Sequence, residues 1–464
     1  MMKAQKVAAL GFFLFTITLR VNATLLDLKS SSTKNFLITT AATGCMPKGI
    51  KLDPIGTSLY VAEMCGKMIP STGKRVPSAS IFDLETKKLI KTIVTPLGSR
   101  KGILANTEVE FSIDEQWALI TRAEGDENSE VYKNMGLLTI VDTELQKVAK
   151  YVPLYGQGSK IIATRPFVKG ELPRKQMVYV ANYFTDDISL IDVAGLKRDS
   201  LLDGASLYKG KIELHTNFKD PNSRAYAIAP RGIAFTPDGK YALVLNTESG
   251  SIIIIDSIHH RQIAELAPLS EKIAGRELNV RHIVVSRDGV TAYLSHMRGN
   301  AVSRINLKKL ISAVENLSNQ GDKATLPAAL WDELLIPFNT EEGQKKILVL
   351  EDYPADHPNF PGKTWPLAHP NTIVLDPVAN RYLYVSSRTT TSENDSTVDP
   401  KIMGKIDIID LEKDRVVFTL VGGAQPTALE VSHDNRTLIS SGFINDRLYF
   451  YDLRKILSLY EKGE

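Results

Sequence analysis

Tyr226–Leu266 reads YAIAPRGIAFTPDGKYALVLNTESGSIIIIDSIHHRQIAEL, and its punctuation spells four short strands. Arg231–Thr236 is apolar with period two. Pro237-Asp238-Gly239-Lys240 is a tight turn, in which Pro fixes φ and Gly supplies a positive φ. Tyr241–Asn246 is a second strand and Thr247–Gly250 a second turn. A β-branched run, Ser251–Ile255, ends at Asp256, and Arg261–Leu266 alternates again. Strands this short, separated by turn residues, predict an antiparallel meander of one sheet. Such a sheet cannot bury both faces alone, so it needs neighbours of its own kind.

The rest of the chain supplies them. The third strand, apolar residues followed by Asp, recurs at Asp83 (SIFD), Asp142 (TIVD), Asp192 (SLID), Asp256, Asp410 (IDIID) and Asp452 (YFYD), with Asn306 (SRIN) in the remaining copy. The second strand recurs at Tyr60 (YVAE), Tyr179 (YVAN), Asn246 (VLN) and Tyr384 (YVSS). The first strand closes on LDP at Asp53 and Asp376, FTPDG at Phe235, VSRDG at Val285 and VSHDN at Val431. Three such words in fixed order, spaced by roughly 40–60 residues, mark a radial β-repeat. Seven copies predict an all-β protein, a seven-bladed β-propeller of four-stranded antiparallel blades. The last copy has only three strands, and Asn35–Thr40 (NFLITT) has no blade of its own. The N-terminal strand is therefore expected to close the last blade and remove its open edge.

These words resemble the YVTN family of β-propeller repeats, with its Pro-x-Gly opening, Pro-Asp-Gly turn, Tyr-Val-x-Asn strand and Ile-Asp strand. Pro230-Arg231-Gly232, Pro237-Asp238-Gly239, Tyr179-Val180-Ala181-Asn182 and the Asp256 strand carry the likeness, which spans residues 43–453. Blades two and five depart from it: Asn106-Thr107-Glu108 replaces the opening in one, and Asn306 the Asp in the other. The resemblance implies a fold and not an activity. Similar seven-bladed folds serve as surface-layer and periplasmic proteins, lactonases and redox-enzyme subunits.

Residues 1–23 read as a secretory signal peptide: Lys3 and Lys6, an apolar run Val7–Leu19, and a small-residue site Val21-Asn22-Ala23. The run is short of the ~20 residues that span a bilayer, so no membrane span is expected. The expected location is periplasmic or extracellular. Residues 24–464 are read as one propeller domain with a helical and loop insert at 307–370. The leader takes with it three basic residues and no acid, leaving 53 of each sign. A neutral chain argues against nucleic acid as partner, and a monomer is expected. The two cysteines, Cys45 and Cys65, fall opposite each other if the first hairpin turns around Pro54–Thr57, which predicts a cross-strand disulfide.

Loop lengths distinguish the two faces. Most first-to-second-strand turns are short. Residues 65–78, 122–134 and 387–403, together with the connections 196–229 and 307–370, are long. They are expected on the face where each inner strand begins, and long loops on a rigid scaffold are where binding concentrates. Within 307–370, Leu307–Leu317 and Pro327–Ile336 have helical spacing, Lys346–Leu350 reads as a strand, and Tyr353–His369 is an aromatic and proline-rich loop suited either to a lid or partner-docking surface or to a plug packing on itself.

Aligning the repeats puts Lys48, Thr107, Arg231, Arg281, Asn371 and Thr427 at one position, the start of the inner strand, with Ser159 or Lys160 in blade three. The next position holds Gly49, Glu108, Gly232, His282, Thr372 and Ala428. These residues are expected to ring the channel mouth, and Lys48, Arg231 and Arg281 make it locally basic. Such a ring suits a small anionic ligand or an acidic feature of a protein partner; alternatively it is simply hydrated. Glu108, His282 and His369 are the acid–base candidates. The leading expectation is a non-catalytic binding scaffold whose site comprises Lys48, Glu108, Arg231, Arg281, His282, His369 and Asn371. The alternatives are a lactonase-like hydrolase and a non-catalytic subunit of an electron-transfer complex. No catalytic residue is assigned. No CxxCH is present for c-type haem, the runs DENSE (126–130) and SENDSTVD (392–399) lack calcium-loop spacing, and His282, His296 and His369 are scattered. No cofactor and no metal are expected.

Overall fold

The repeated aspartate explains why the strands end where they do. The third strands of all seven blades terminate at Asp83, Asp142, Asp192, Asp256, Asn306, Asp410 and Asp452. Each side chain turns back to accept backbone N–H groups just beyond it: Asp142 Oδ1 from Glu144 and Leu145 (2.9 and 2.8 Å), Asp256 Oδ1 from Ile258 and His259 (2.9 and 3.1 Å). In blades five and seven the same acceptor caps a helix. Lys309 N–H donates to Asn306 Oδ1 (3.0 Å) and Lys455 N–H to Asp452 Oδ1 (2.9 Å), and helices follow at Leu307–Leu317 and Leu453–Lys462. Asn caps as well as Asp, so the departure at Asn306 leaves the blade intact.

A computed structural model describes residues 36–69, 74–95, 106–123, 135–171, 174–198, 203–218, 228–273, 276–297, 299–317, 324–340, 343–350, 368–389 and 403–462. The expected leader, the two acidic runs and nearly all of the aromatic loop lie outside these residues. The seven antiparallel blades begin at Cys45, Asn106, Ser159, Pro230, Val280, Ala368 and Pro426. Their inner strands contact one another in cyclic order, the seventh returning to the first. Second and third strands are almost wholly buried, as in Trp117–Arg122, Leu137–Asp142 and Met177–Asn182. The core therefore lies between blades, where apolar faces of adjacent sheets pack, as Tyr179 packs on Phe235 at 4.9 Å between ring centroids.

The last blade closes as the sequence predicts. Leu37–Ala42 pairs antiparallel with Arg447–Asp452, Thr43 N–H donates to the Asp446 carbonyl (3.0 Å), and Phe36 meets Phe418 edge-on at 5.2 Å. Cys45 and Cys65 are disulfide-bonded, with Cα atoms 5.1 Å apart.

Three loop expectations change. Residues 65–78 are largely strand: Ser58–Ile69 and Lys74–Asp83 continue past the blade as a hairpin, with Lys67 paired to Val76. The connection 196–229 contains Tyr208–Glu213, the outer strand of blade three. The region 307–370 is likewise divided, because Ile347–Val349 is the outer strand of blade five. The helices are thus inserted between the third and fourth strands of that blade, which puts them on the face of the short turns. Ala324–Leu326, between them, extends blade four as a fifth, parallel strand. The strand read at Lys346–Leu350 is thus the outer strand of blade five, and the long excursion before it hides which blade it completes.

Candidate functional site

The mouth of the channel is built by a bulge repeated in every blade. Each inner strand loses register with its partner near its start: at Pro47/Gly49, Asn106/Val109, Ser159/Ile162, Pro230/Gly232, Val280/His282, Pro370/Ile373 and Pro426/Leu429. A bulge takes one residue out of the ladder and re-aims its side chain. The bulged residues are Lys48, Thr107, Lys160, Arg231, Arg281, Asn371 and Thr427. In blade three the position goes to Lys160, since Ser159 is in the ladder opposite Asn182 and donates its hydroxyl to that side chain (2.6 Å).

Some of these side chains run around the ring. Thr107 Oγ1 donates to the Ser159 carbonyl (3.0 Å), and Thr427 Oγ1 to the Lys48 carbonyl (3.1 Å). Arg281 Nε donates to Asn371 Oδ1 (2.6 Å), whose amide in turn donates to the Thr427 carbonyl. Together they tie blade two to three, five to six, six to seven and seven to one. Arg281 and Asn371, expected as ligand contacts, are therefore also structural braces.

Lys48 and Arg231 differ. Both are buried, yet neither side chain has a hydrogen-bond or ion-pair partner among the described residues. Lys160 has only aromatic company, its ammonium 3.9 Å from the Tyr183 ring centroid and 5.2 Å from that of Phe184. Burial, with Arg388, Arg231 and Arg281 nearby, holds the Lys48 ammonium well below the ordinary lysine value, Glu108 opposing. Burial and the same three arginines lower Lys160 likewise. Arg388 was not foreseen. It sits opposite His369 on the lengthened second strand of blade six, and nothing in the repeat pattern points that strand's end at the mouth.

Among the described residues one carboxylate serves this basic group. Glu108 leans across to blade one, over Gly49, where a Cβ would come within 2.5 Å of its Oε2. Burial raises Glu108 to about 7, against the pull of Lys48, Arg231, Lys51 and Arg281. It is the acid–base candidate that titrates near neutrality. His282 does not: burial, then Arg231, Lys51, Lys48 and Arg281, depress it to about 3, so its imidazole is neutral and weakly basic. His369 lies buried ahead of the bulge, and His296 is enclosed within blade five, its Nε2 2.7 Å from Ser303 Oγ. Among the described residues no three His, Cys, Asp or Glu side chains converge as metal ligands.

Below the mouth the charge reverses. Lys51 lies 3.6 Å from Glu110, with side chains 38% and 25% exposed, so this layer of the channel is wet. Glu110 first, then Glu430, raise Lys51. Burial pushes Glu430 up to about 7, with Glu110 adding to it and Lys51 opposing. On the opposite face a shallow cleft of about 460 Å³ lies between the turns at Asp238 and Asp288 and the helix bearing Glu315. Its charged lining is mixed, Asp238, Asp288 and Glu315 with Lys240 and Lys308.

No protein-family model matches the chain. It is 25% identical over 308 residues to antigen Lp49 of Leptospira interrogans, a match covering 65% of this chain and 49% of that protein. The chain thus spans about half the length of the curated relative it matches. Among solved structures it is similar to the β-propeller domain of Cps50 (Swd1) from Myceliophteria thermophila (TM-score 0.54, 14% identity, 90% of this chain and 99% of that one). It is also similar to a chain of the Kuenenia stuttgartiensis hydrazine synthase (TM-score 0.52, 15% identity, 89% and 97%), and to one of the mitotic checkpoint complex (TM-score 0.53, 9% identity, 90% and 91%). These likenesses establish the propeller scaffold.

Proposed function

We propose that this chain is an exported, YVTN-like propeller that binds an anion at the channel mouth, either a small carboxylate or phosphate ester or an acidic side chain of a protein partner, and is not itself a catalyst. The observation that carries the reading is the pair Lys48 and Arg231, two buried basic side chains without a side-chain partner among the described residues, beside Lys160, Arg281 and Arg388 and facing the carboxylate of Glu108. Burying charge without a partner is costly, and a bound anion offsets that cost with charge-assisted hydrogen bonds. The acidic layer at Glu110 and Glu430 stops an anion at the mouth and keeps it from travelling down the axis. Export is supported by the leader at residues 1–23 and by the disulfide, which persists in oxidising compartments. A hydrolase reading has Glu108, His282 and His369 as its acid–base candidates, and burial with the cations around the His282 imidazole takes that residue out of the role.

The test is a melting-temperature screen of inorganic phosphate, citrate and simple carboxylates against wild type and Arg231→Ala. Stabilisation of wild type that weakens with salt and disappears in the variant supports the proposal. Equal stabilisation of both proteins contradicts it.

A further inference from the structure

We propose that Lys48 captures its ligand covalently, its amine condensing with the ketone of a small 2-oxo acid whose carboxylate is held by Arg231 and Arg281. The inference rests on the anion reading above and names the ligand class. Among the described residues Lys48, Lys51 and Lys160 lie on inner strands, and their settings differ. Lys51 has the carboxylate of Glu110 at 3.6 Å. The Lys160 ammonium rests on the Tyr183 ring, which favours the charged form. Lys48 has neither: among the described residues its amine makes no hydrogen bond, ion pair or ring contact. An ammonium carries three donors that need acceptors, and a neutral amine has no such need.

The charges around Lys48 point the same way. Arg388, Arg231 and Arg281 act on it as cations and Glu108 as the one acid, and burial adds to the cations' effect. A lysine desolvated beside other cations is an activated amine nucleophile. Arginines cannot share this role, because they stay protonated, but their forks suit a carboxylate. The electrophile must then be joined to an anion, and a 2-oxo acid places a ketone directly beside its carboxylate. Glu108 stands over Gly49, the residue next to Lys48, and titrates near 7, so it can give a proton and take one back.

The step balances without a co-reactant. The Lys48 Nζ lone pair attacks the ketone carbon, the carbonyl π pair moves to oxygen, and Glu108 protonates that oxygen. The new ammonium nitrogen returns a proton to Glu108. Glu108 then protonates the hydroxyl, water leaves, the C=N bond forms from the nitrogen lone pair, and the remaining N–H proton goes back to the carboxylate. One amine and one ketone give one imine and one water, and hydrolysis reverses the sequence.

The test uses the full exported chain with pyruvate, followed by borohydride reduction and peptide mapping. Lactate, which has the carboxylate but a hydroxyl in place of the ketone, is the control, and binding of both acids is followed by calorimetry. The expected result is a reduced adduct on the Lys48 peptide, suppressed by excess lactate and absent in Lys48→Arg. Mapping in wild type decides the matter even if Lys48→Arg folds poorly. An adduct confined to Lys160 or to surface lysines, or no adduct, overturns the inference. If lactate and pyruvate still bind in that case, the anion reading stands; if neither binds and no other anion does, that reading falls as well.

Discussion

The carboxylate of Glu108, in blade two, occupies the space that a side chain at Gly49, in blade one, would fill. A Cβ there would lie 2.5 Å from Glu108 Oε2 and 2.6 Å from both Glu108 Cα and the Thr107 carbonyl. The glycine lets the two inner strands approach and seats the acid among the cations. Gly49→Ala is therefore expected to lower stability by about 1–3 kcal/mol, the usual cost of overpacking, and to shift the proton equilibrium of Glu108. Chemical denaturation checks the first effect and a carboxyl-edited NMR titration the second.

Proton linkage at the mouth has a definite sign. The folded pKa of Glu108, about 7, is raised above its unfolded value. Its protonated form is favoured in the folded protein, so its contribution favours folding below the unfolded value and is lost as pH rises through about 7. A bound anion raises it further, so binding takes up protons and tightens as pH falls through 7. Lys48, Lys160, Arg231, Arg281, Arg388, Lys51 and His282 surround the site, and the two lowered lysines add proton uptake of the same sign. Glu108→Gln should bind the anion more tightly at pH 8 and lose the component centred near 7. Calorimetry in buffers of different ionisation enthalpy reads this directly; unchanged proton uptake in Glu108→Gln would falsify the assignment.

The disulfide encloses a hairpin whose ends are 20 residues apart. Reduction should cost about 2–4 kcal/mol and loosen the strand that presents Lys48. The check is the melting temperature with and without reductant, with Cys45→Ser/Cys65→Ser as control. Equal melting points of oxidised and reduced protein would show that the bridge contributes nothing.

Closure of the ring depends on Leu37–Ala42, which Arg447 Nη1 also engages through Thr40 Oγ1 (3.1 Å). Deleting residues through Ala42 exposes the Arg447–Asp452 edge. Loss of several kcal/mol and self-association in sedimentation are expected. A truncated chain that stays monomeric and melts like wild type would mean the strand is not needed for closure.

The fold was legible because its punctuation is chemical. An Asp that must accept the N–H groups of the next turn cannot drift, and it marks the end of third strands from Asp83 to Asp452. The mouth was legible in part for the same reason: Lys48, Arg231 and Arg281 share a repeat position next to Pro or Val, where the bulge falls. Lys160 was ambiguous with Ser159, because a bulge breaks the period-two alternation that assigns faces. Arg388 was hidden because it belongs to the second strand of its blade and reaches the mouth only through that strand's extra length. The environment of His282 was hidden too, since burial and then four basic residues from three blades depress it, and none of the four is near it in sequence except Arg281. The bracing role of Arg281 has a similar origin, its partner Asn371 being supplied by another blade.

The central claim is that Arg231 and Lys48 hold an anion at the channel mouth. The most direct measurement is anomalous diffraction from crystals soaked in bromide, for wild type and Arg231→Ala. The account predicts a bromide ion in contact with Arg231 and Lys48 in wild type, among the strongest anomalous peaks in the molecule and lost in the variant. Bromide bound elsewhere on the surface with the mouth empty, or a mouth peak unchanged in Arg231→Ala, would contradict it.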